Sequence, residues 1–137
     1  MNGRWNLIAG LWGIGLFMVY GFILIYLRDF APDAAAWAAN YSSGKHFEAR
    51  LAHVHGALFA FLNIVIGFLL LNLQIDERLR KFVSLSAILG ILMPVGILAE
   101  LLLGMSPVFV LIGGISMMLS VFVFGYAVLK QKELVRG

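Results

Sequence analysis

The chain has 137 residues, of which 62% are hydrophobic and 12% charged, and its mean hydropathy is +0.97. This composition excludes a soluble globular domain and indicates an integral membrane protein. The sequence contains no cysteine, which excludes disulfides, thiolate metal ligands and cysteine nucleophiles. The formal net charge of +3 comes from loops and chain ends, so it bears on membrane orientation and does not indicate a nucleic-acid partner.

Four apolar segments are each long enough to cross a bilayer, which requires about 20 helical residues. They are Trp5–Leu27, Phe47–Leu73, Phe82–Leu103 and Pro107–Leu129. The first is too long for the apolar region of a signal peptide, so it is predicted to be a retained transmembrane helix. Residues 1–137 are therefore predicted to form one all-α domain, a four-helix bundle integral to the lipid bilayer.

The connections between the predicted spans differ in length. The longest, Arg28–Lys45, contains an alanine-rich run that predicts a short surface helix, with Trp37 and Tyr41 at the level of the lipid headgroups. The link Gly104–Ser106 is so short that the third and fourth spans are predicted to form an antiparallel hairpin. Within the third span, Pro94 is expected to produce a kink.

Lysine and arginine residues are distributed unequally between the two ends of the predicted bundle. Seven lie on the side of the chain termini and three on the opposite side. The seven are Arg4, Arg78, Arg80, Lys81, Lys130, Lys132 and Arg136, and the three are Arg28, Lys45 and Arg50. Because cytoplasmic loops carry the excess of positive charge, both termini are predicted to face the cytoplasm, in a bacterial inner membrane.

His53 and His55 lie one residue apart near the predicted outer end of the second span. Ionisable side chains at this depth are costly in hydrocarbon and require partners. Residues i and i+2 of a helix point roughly 200° apart, so the two imidazoles are expected to serve different neighbours. No other predicted span contains a histidine, so a site with two opposed histidines requires a second chain. Imidazole commonly binds haem iron, copper and zinc, so both residues are candidate metal ligands.

Four more residues near this pair are candidate site residues. Arg50, one turn from His53, is a candidate contact for an anionic group such as a haem propionate. Gly56 belongs to a stripe of small residues that predicts close helix packing, room for a flat cofactor, or both. Glu100 lies at a similar depth in the third span. It is a candidate to orient a histidine, hold a metal or relay protons; in the alternative, it bonds to a neighbouring helix or extends its carboxylate to the membrane surface. His46 is expected to be an interfacial histidine, with a role as third ligand left open.

The segment Ala52–Ala60, AHVHGALFA, resembles the Ala-His-x-His motif in the catalytic subunit of haem–copper oxidases. That subunit has twelve helices in three quasi-equivalent groups of four, and the four spans of this chain resemble one such group. In the third group, the first histidine of the motif ligates the high-spin haem and the second ligates the low-spin haem. The resemblance implies that His53 and His55 are axial ligands of these two types, with haem b as the cofactor.

The same resemblance implies a homotrimer in which three copies rebuild a ring of twelve helices. Each interface then places His53 of one chain opposite His55 of the next, with a haem between them, and threefold symmetry closes this heterologous contact. The chain lacks the copper-binding histidine triad and the crosslinked tyrosine of the family. Electron transfer or a small-ligand role is therefore expected rather than oxygen reduction, and both the redox partner and the question of enzymatic activity stay open.

Two other functions are compatible with the sequence. In one, His46, His53, His55 and Glu100 hold a non-haem copper, zinc or iron ion. In the other, the protein is a small structural or accessory subunit without a cofactor, in which the histidines only bridge helices. The chain length is also similar to that of four-helix membrane glutathione transferases, but their Arg-x-x-Asn-x-x-Glu pattern is not found here.

Overall fold

The computed structural model describes residues 3–131, and their secondary structure is helical. The helices are α1 (Arg4–Asp29), α2 (Ala34–Ala39), α3 (Gly44–Asn72), α4 (Glu77–Gly90), α5 (Leu92–Leu103) and α6 (Val108–Leu129). Helices α4 and α5 together form one span, so the structure has four helical segments long and apolar enough to cross a membrane. The prediction of an all-α fold with four segments able to cross a membrane is therefore confirmed, and α2 is the short helix expected from the alanine-rich run.

The third span begins earlier than predicted, at Glu77 instead of Phe82. Asp76 caps this helix, because its carboxylate accepts hydrogen bonds from the backbone N–H groups of Arg78 and Leu79 at 2.9 and 3.3 Å. These bonds satisfy donors that have no partner inside the helix. Because the added turn is charged, hydropathy alone does not reveal it as part of the helix.

The third span is broken at Ile91, between α4 and α5. Pro94 has no N–H to donate to the carbonyl of Gly90, and its ring would clash with that carbonyl in a regular helix. The helix resumes at once, since the N–H of Val95 donates to the carbonyl of Ile91 over 3.3 Å. This break lies within the turn that precedes Pro94, where a kink is expected.

Helix α1 packs along α3 through small residues. The predicted stripe on α3, which is entirely buried, consists of Ala49, Ala52, Gly56, Ala60, Asn63 and Gly67. A Cβ atom on Gly10 would lie 2.6 Å from the carbonyl oxygen of Ala60, and one on Gly67 would lie 2.6 Å from the carbonyl oxygen of Gly3. Only glycine permits backbones to approach this closely. The stripe thus serves helix packing, as one of its two interpretations predicts.

A buried hydrogen-bond network joins α1, α3 and α4. The amide nitrogen of Asn6 donates to Oδ1 of Asn63 at 2.9 Å and to the carbonyl oxygen of Ser84 at 3.0 Å. The amide nitrogen of Asn63 donates to the carbonyl oxygens of Phe59 at 3.0 Å and Ala87 at 2.9 Å. These bonds satisfy polar groups that are costly in an apolar interior, and they fix the three helices in register.

The remaining helices complete the bundle and leave α1 at its periphery. Helix α6 packs against α4 and α5, and α5 packs against α3. Ser120 of α6 donates to the carbonyl oxygen of Val83 in α4 at 2.9 Å. Only 11% of the most apolar window of α1 is buried, against 44% for the third span. The open face of α1, which exposes Trp12 and Phe22, is therefore available to lipid or to another chain.

Three of the basic residues on which the predicted orientation depends lie at or next to helix ends. Arg4 begins α1 and Lys130 follows α6, whereas Arg28 lies in the last turn of α1. Lys132 and Arg136 lie outside the described residues. The orientation with both termini in the cytoplasm stays a prediction.

Candidate functional site

The imidazole of His53 lies against α1 at Gly21. A Cβ atom on Gly21 would be only 2.9 Å from Cε1 of His53, so the absence of a side chain there allows the ring to approach the backbone. Tyr20 flanks the ring with centroids 6.0 Å apart, and its hydroxyl donates to the carbonyl oxygen of Ala49 at 3.1 Å. Nδ1 of His53 is buried and has no hydrogen-bond partner among the described residues. Packing against α1 therefore sets the position of this ring.

A groove of about 440 Å³ opens beside His53, between the last turns of α1 and the first turns of α3. We call it the histidine groove. One wall is apolar and comes from α1, through Met18, Phe22, Leu24 and Ile25; the polar lining comes from Arg28, Tyr41, His46, Arg50 and His53. Sites for small molecules and cofactors typically have volumes of about 300–1,000 Å³ and a mostly apolar lining with a few polar groups. The histidine groove has both properties.

His46 lies at the polar end of the histidine groove and holds the α1–α3 connection. It is buried, with 3% of its surface exposed, and its Nδ1–H donates to the carbonyl oxygen of Trp37 at 2.8 Å. Its ring stacks on the Trp37 indole with centroids 4.9 Å apart, and Tyr41 meets it edge-on at 5.4 Å. His46 therefore anchors α2 against the start of α3, and its depth in the membrane stays a prediction.

Arg50 lies at the same end of the groove in a fixed position. Its guanidinium donates to the carbonyl oxygen of Tyr41 at 2.9 Å and lies 3.5 Å from the centroid of the Tyr41 ring. This cation–π contact and the hydrogen bond hold the charge in place. The prediction that Arg50 lies near His53 agrees with the groove, which both residues line.

Arg28 is a groove residue that the sequence identifies only as a basic residue after the first span. Its exposed side chain pairs with Asp29 at 2.9 and 2.7 Å and lines the groove together with Arg50. An exposed ion pair of this kind is weak because water screens it, so the guanidinium can exchange Asp29 for another anion. The charge asymmetry places Arg28 at the right end of the bundle, but only the packing of α1 on α3 brings it beside Arg50.

His55 lies on a different face of α3. Its Nδ1–H donates to the carbonyl oxygen of Leu51 at 2.9 Å, and its ring meets Phe59 edge-on with centroids 6.1 Å apart. This hydrogen bond fixes the tautomer and leaves Nε2 as the nitrogen that can bind a metal. The two imidazoles thus point to different neighbours, as the helical geometry predicts.

Gly56 and Glu100 do not line the histidine groove. The ring of Phe17 fills the space over Gly56, so helix packing accounts for this glycine. Glu100 is an exposed residue of α5, whereas the lining of the groove comes from α1, α3 and their connection. The structure therefore brings together His53, His46 and Arg50, and adds Arg28 to them.

In the part of the chain that the structure describes, no group of three or more histidine, aspartate or glutamate side chains is arranged to hold a metal ion. The candidate set of His46, His53, His55 and Glu100 is thus not assembled into one centre within a chain. A haem, by contrast, supplies its own in-plane nitrogens and takes only axial ligands from the protein. Single imidazoles on separate faces are compatible with axial ligation.

A comparison of the chain with protein-family models, curated proteins and solved structures finds no match.

Proposed function

We propose that this protein binds haem b in the membrane and has an electron-transfer or small-ligand role, with each haem held between two copies of the chain. His53 of one copy and His55 of the next are the axial ligands. The observation that carries the proposal is the histidine groove. The His53 imidazole stands in its wall, and two guanidinium groups, those of Arg28 and Arg50, stand at its polar end.

The residues of the groove suit a haem chemically. Met18, Phe22 and Ile25 offer apolar surface to a flat macrocycle. Arginine pairs well with carboxylates through charge-assisted hydrogen bonds, so Arg28 and Arg50 suit the two propionates. Arg50 is already held by Tyr41, so its side chain loses little conformational entropy when it pairs with a propionate. When bound, haem supplies one-electron chemistry at its iron.

His55 has the hydrogen bonding expected of an axial ligand. Its Nδ1–H donates to Leu51, which orients the ring and increases the basicity of Nε2. A metal-ligating histidine commonly has such an acceptor behind it. His55 is therefore prepared to bind iron from a face of α3 other than the one that lines the groove.

The arrangement requires more than one copy of the chain. Both imidazoles belong to α3 and serve different faces, so they cannot take opposite sides of one haem. A second chain must supply the other ligand, and a homotrimer closes this repeated contact, in line with the resemblance to haem–copper oxidases. With both termini in the cytoplasm, the haems lie in the outer leaflet of a bacterial inner membrane.

Absorption spectroscopy of the purified full-length protein tests the proposal. Protein produced with an adequate haem supply should give a reduced-minus-oxidised spectrum with sharp low-spin b-type bands, and a pyridine haemochrome assay should identify haem b. His53→Ala and His55→Ala should each lose the low-spin spectrum, whereas His46→Ala should retain it. A monodisperse wild-type protein that takes up no haem contradicts the proposal.

A further inference from the structure

The two imidazoles of α3 differ in what holds their Nδ1 atoms. Nδ1–H of His55 donates to the carbonyl oxygen of Leu51 at 2.9 Å. Nδ1 of His53 is buried and has no partner among the described residues. The difference matters for ligation, because an acceptor behind an imidazole fixes its tautomer and strengthens its bond to a metal.

A second copy of the chain cannot easily remove this difference. Nδ1 of His53 is inaccessible within its own chain, where a Cβ on Gly21 would lie 3.7 Å from it. The hydroxyl of Tyr20, whose ring flanks His53, already donates to the carbonyl oxygen of Ala49. An acceptor from another chain would have to reach an atom that is closed to the surface. His53 therefore enters any metal site without the support that His55 has.

We infer that the two histidines are unequal ligands: His55 is the permanent ligand of the haem, and His53 is the exchangeable one. The inference rests on the proposed haem-binding function. Loss of the group behind a ligating histidine typically weakens metal binding by about 10–100-fold. An external ligand therefore displaces His53 first. The exchange breaks the bond from iron to His53 and forms one bond from iron to the incoming ligand, without transfer of electrons, and the imidazole leaves neutral.

Carbon monoxide binding to the reduced full-length protein tests the inference. In wild-type protein His53 must leave before CO binds, so CO association should be slow. In His53→Ala no ligand has to leave, so CO association should be faster than in the wild-type protein. Asn72→Ala, which changes an exposed side chain at the opposite end of α3, should keep the wild-type rate. His53→Ala should also retain haem through gel filtration, whereas His55→Ala should lose it.

Gly21→Ala offers a milder change should His53→Ala fail to fold. The added methyl group would lie 2.9 Å from Cε1 of His53 and must displace the ring, so CO association should rise above the wild-type rate. Gly15→Ala is the matched control, because a Cβ there would meet no atom of the described residues within 4 Å.

The possible failures are distinguishable. A wild-type protein without haem contradicts the proposed function and the inference together. A haem-loaded wild-type protein that binds no CO overturns the inference alone. The same holds if both alanine variants lose haem equally, or if CO binding accelerates in His55→Ala instead of His53→Ala.

Discussion

The amide nitrogen of Asn6 lies 2.9 Å from Oδ1 of Asn63, and this buried hydrogen bond joins residues that are 57 positions apart in the chain. It sets the register of α1 against α3. That register places Gly21 against His53 and carries Arg28 to the same groove as Arg50. The polar network between the helices therefore determines the geometry of a site several turns away.

Asn63→Ala should lower the free energy of unfolding by about 1–3 kcal/mol, because one buried N–H of the Asn6 amide loses its acceptor and the carbonyl oxygen of Ala87 loses its donor. Unfolding of the protein in mixed detergent micelles measures this change. Asn72→Ala is the control, since the Asn72 side chain is exposed and donates only within its own helix, to the carbonyl oxygen of Phe68. Equal effects of the two substitutions would argue against a role of the network in stability.

Gly10→Ala should separate α1 from α3. The new Cβ would lie 2.6 Å from the carbonyl oxygen of Ala60, and backbone on α3 cannot yield as a flexible side chain can. Overpacking of this kind costs about 1–3 kcal/mol, which a fall in the thermal midpoint should report. Gly15→Ala, in the same helix but at an open position, should leave the midpoint unchanged or slightly higher, since alanine favours helix.

Trp37→Ala should release α2 from the bundle, because it removes the stacking surface of His46. Hydrogen exchange followed by mass spectrometry should show faster exchange in Ala34–Ala39, with α3 beyond its first turns unaffected. Trp12→Ala removes an equally large side chain that is 71% exposed, and it should leave exchange in α2 unchanged. Slow exchange in α2 of Trp37→Ala would show that the stacking contact does not hold this helix.

Arg50→Gln should weaken haem retention. A hydrogen bond to a charged group contributes about 1.5–3 kcal/mol, so haem should leave roughly 10–100 times faster than from the wild type. Transfer of haem to an apoglobin acceptor measures this rate. Lys45→Gln removes a positive charge from the same end of α3 at a position outside the lining of the histidine groove. An equal effect of both substitutions would indicate a general charge effect in place of a propionate contact.

Much of the fold is predictable because each span carries its signal locally. Runs of apolar residues predict the four spans, and the missing N–H of Pro94 predicts the break at Ile91. The divergence of His53 and His55 follows from helical geometry alone. These features do not depend on which helices are neighbours.

The histidine groove is less predictable because it depends on which face of α1 meets α3. Helix α1 is apolar on all sides, so periodicity does not identify its packing face. The positions of Gly21 against His53 and of Phe17 over Gly56 become evident only in the assembled bundle. Arg28 is missed as a site residue for the same reason.

Complementation between two histidine variants tests most directly whether haem is shared between chains. His53→Ala retains only His55, and His55→Ala retains only His53, so neither variant alone can form a bis-histidine site. In a mixed cyclic oligomer, one interface brings the remaining His53 of one chain opposite the remaining His55 of its neighbour. Co-expression should therefore restore the low-spin b-type spectrum that each variant lacks. Mixed oligomers, isolated through two different affinity tags, that show no low-spin haem would contradict the shared site.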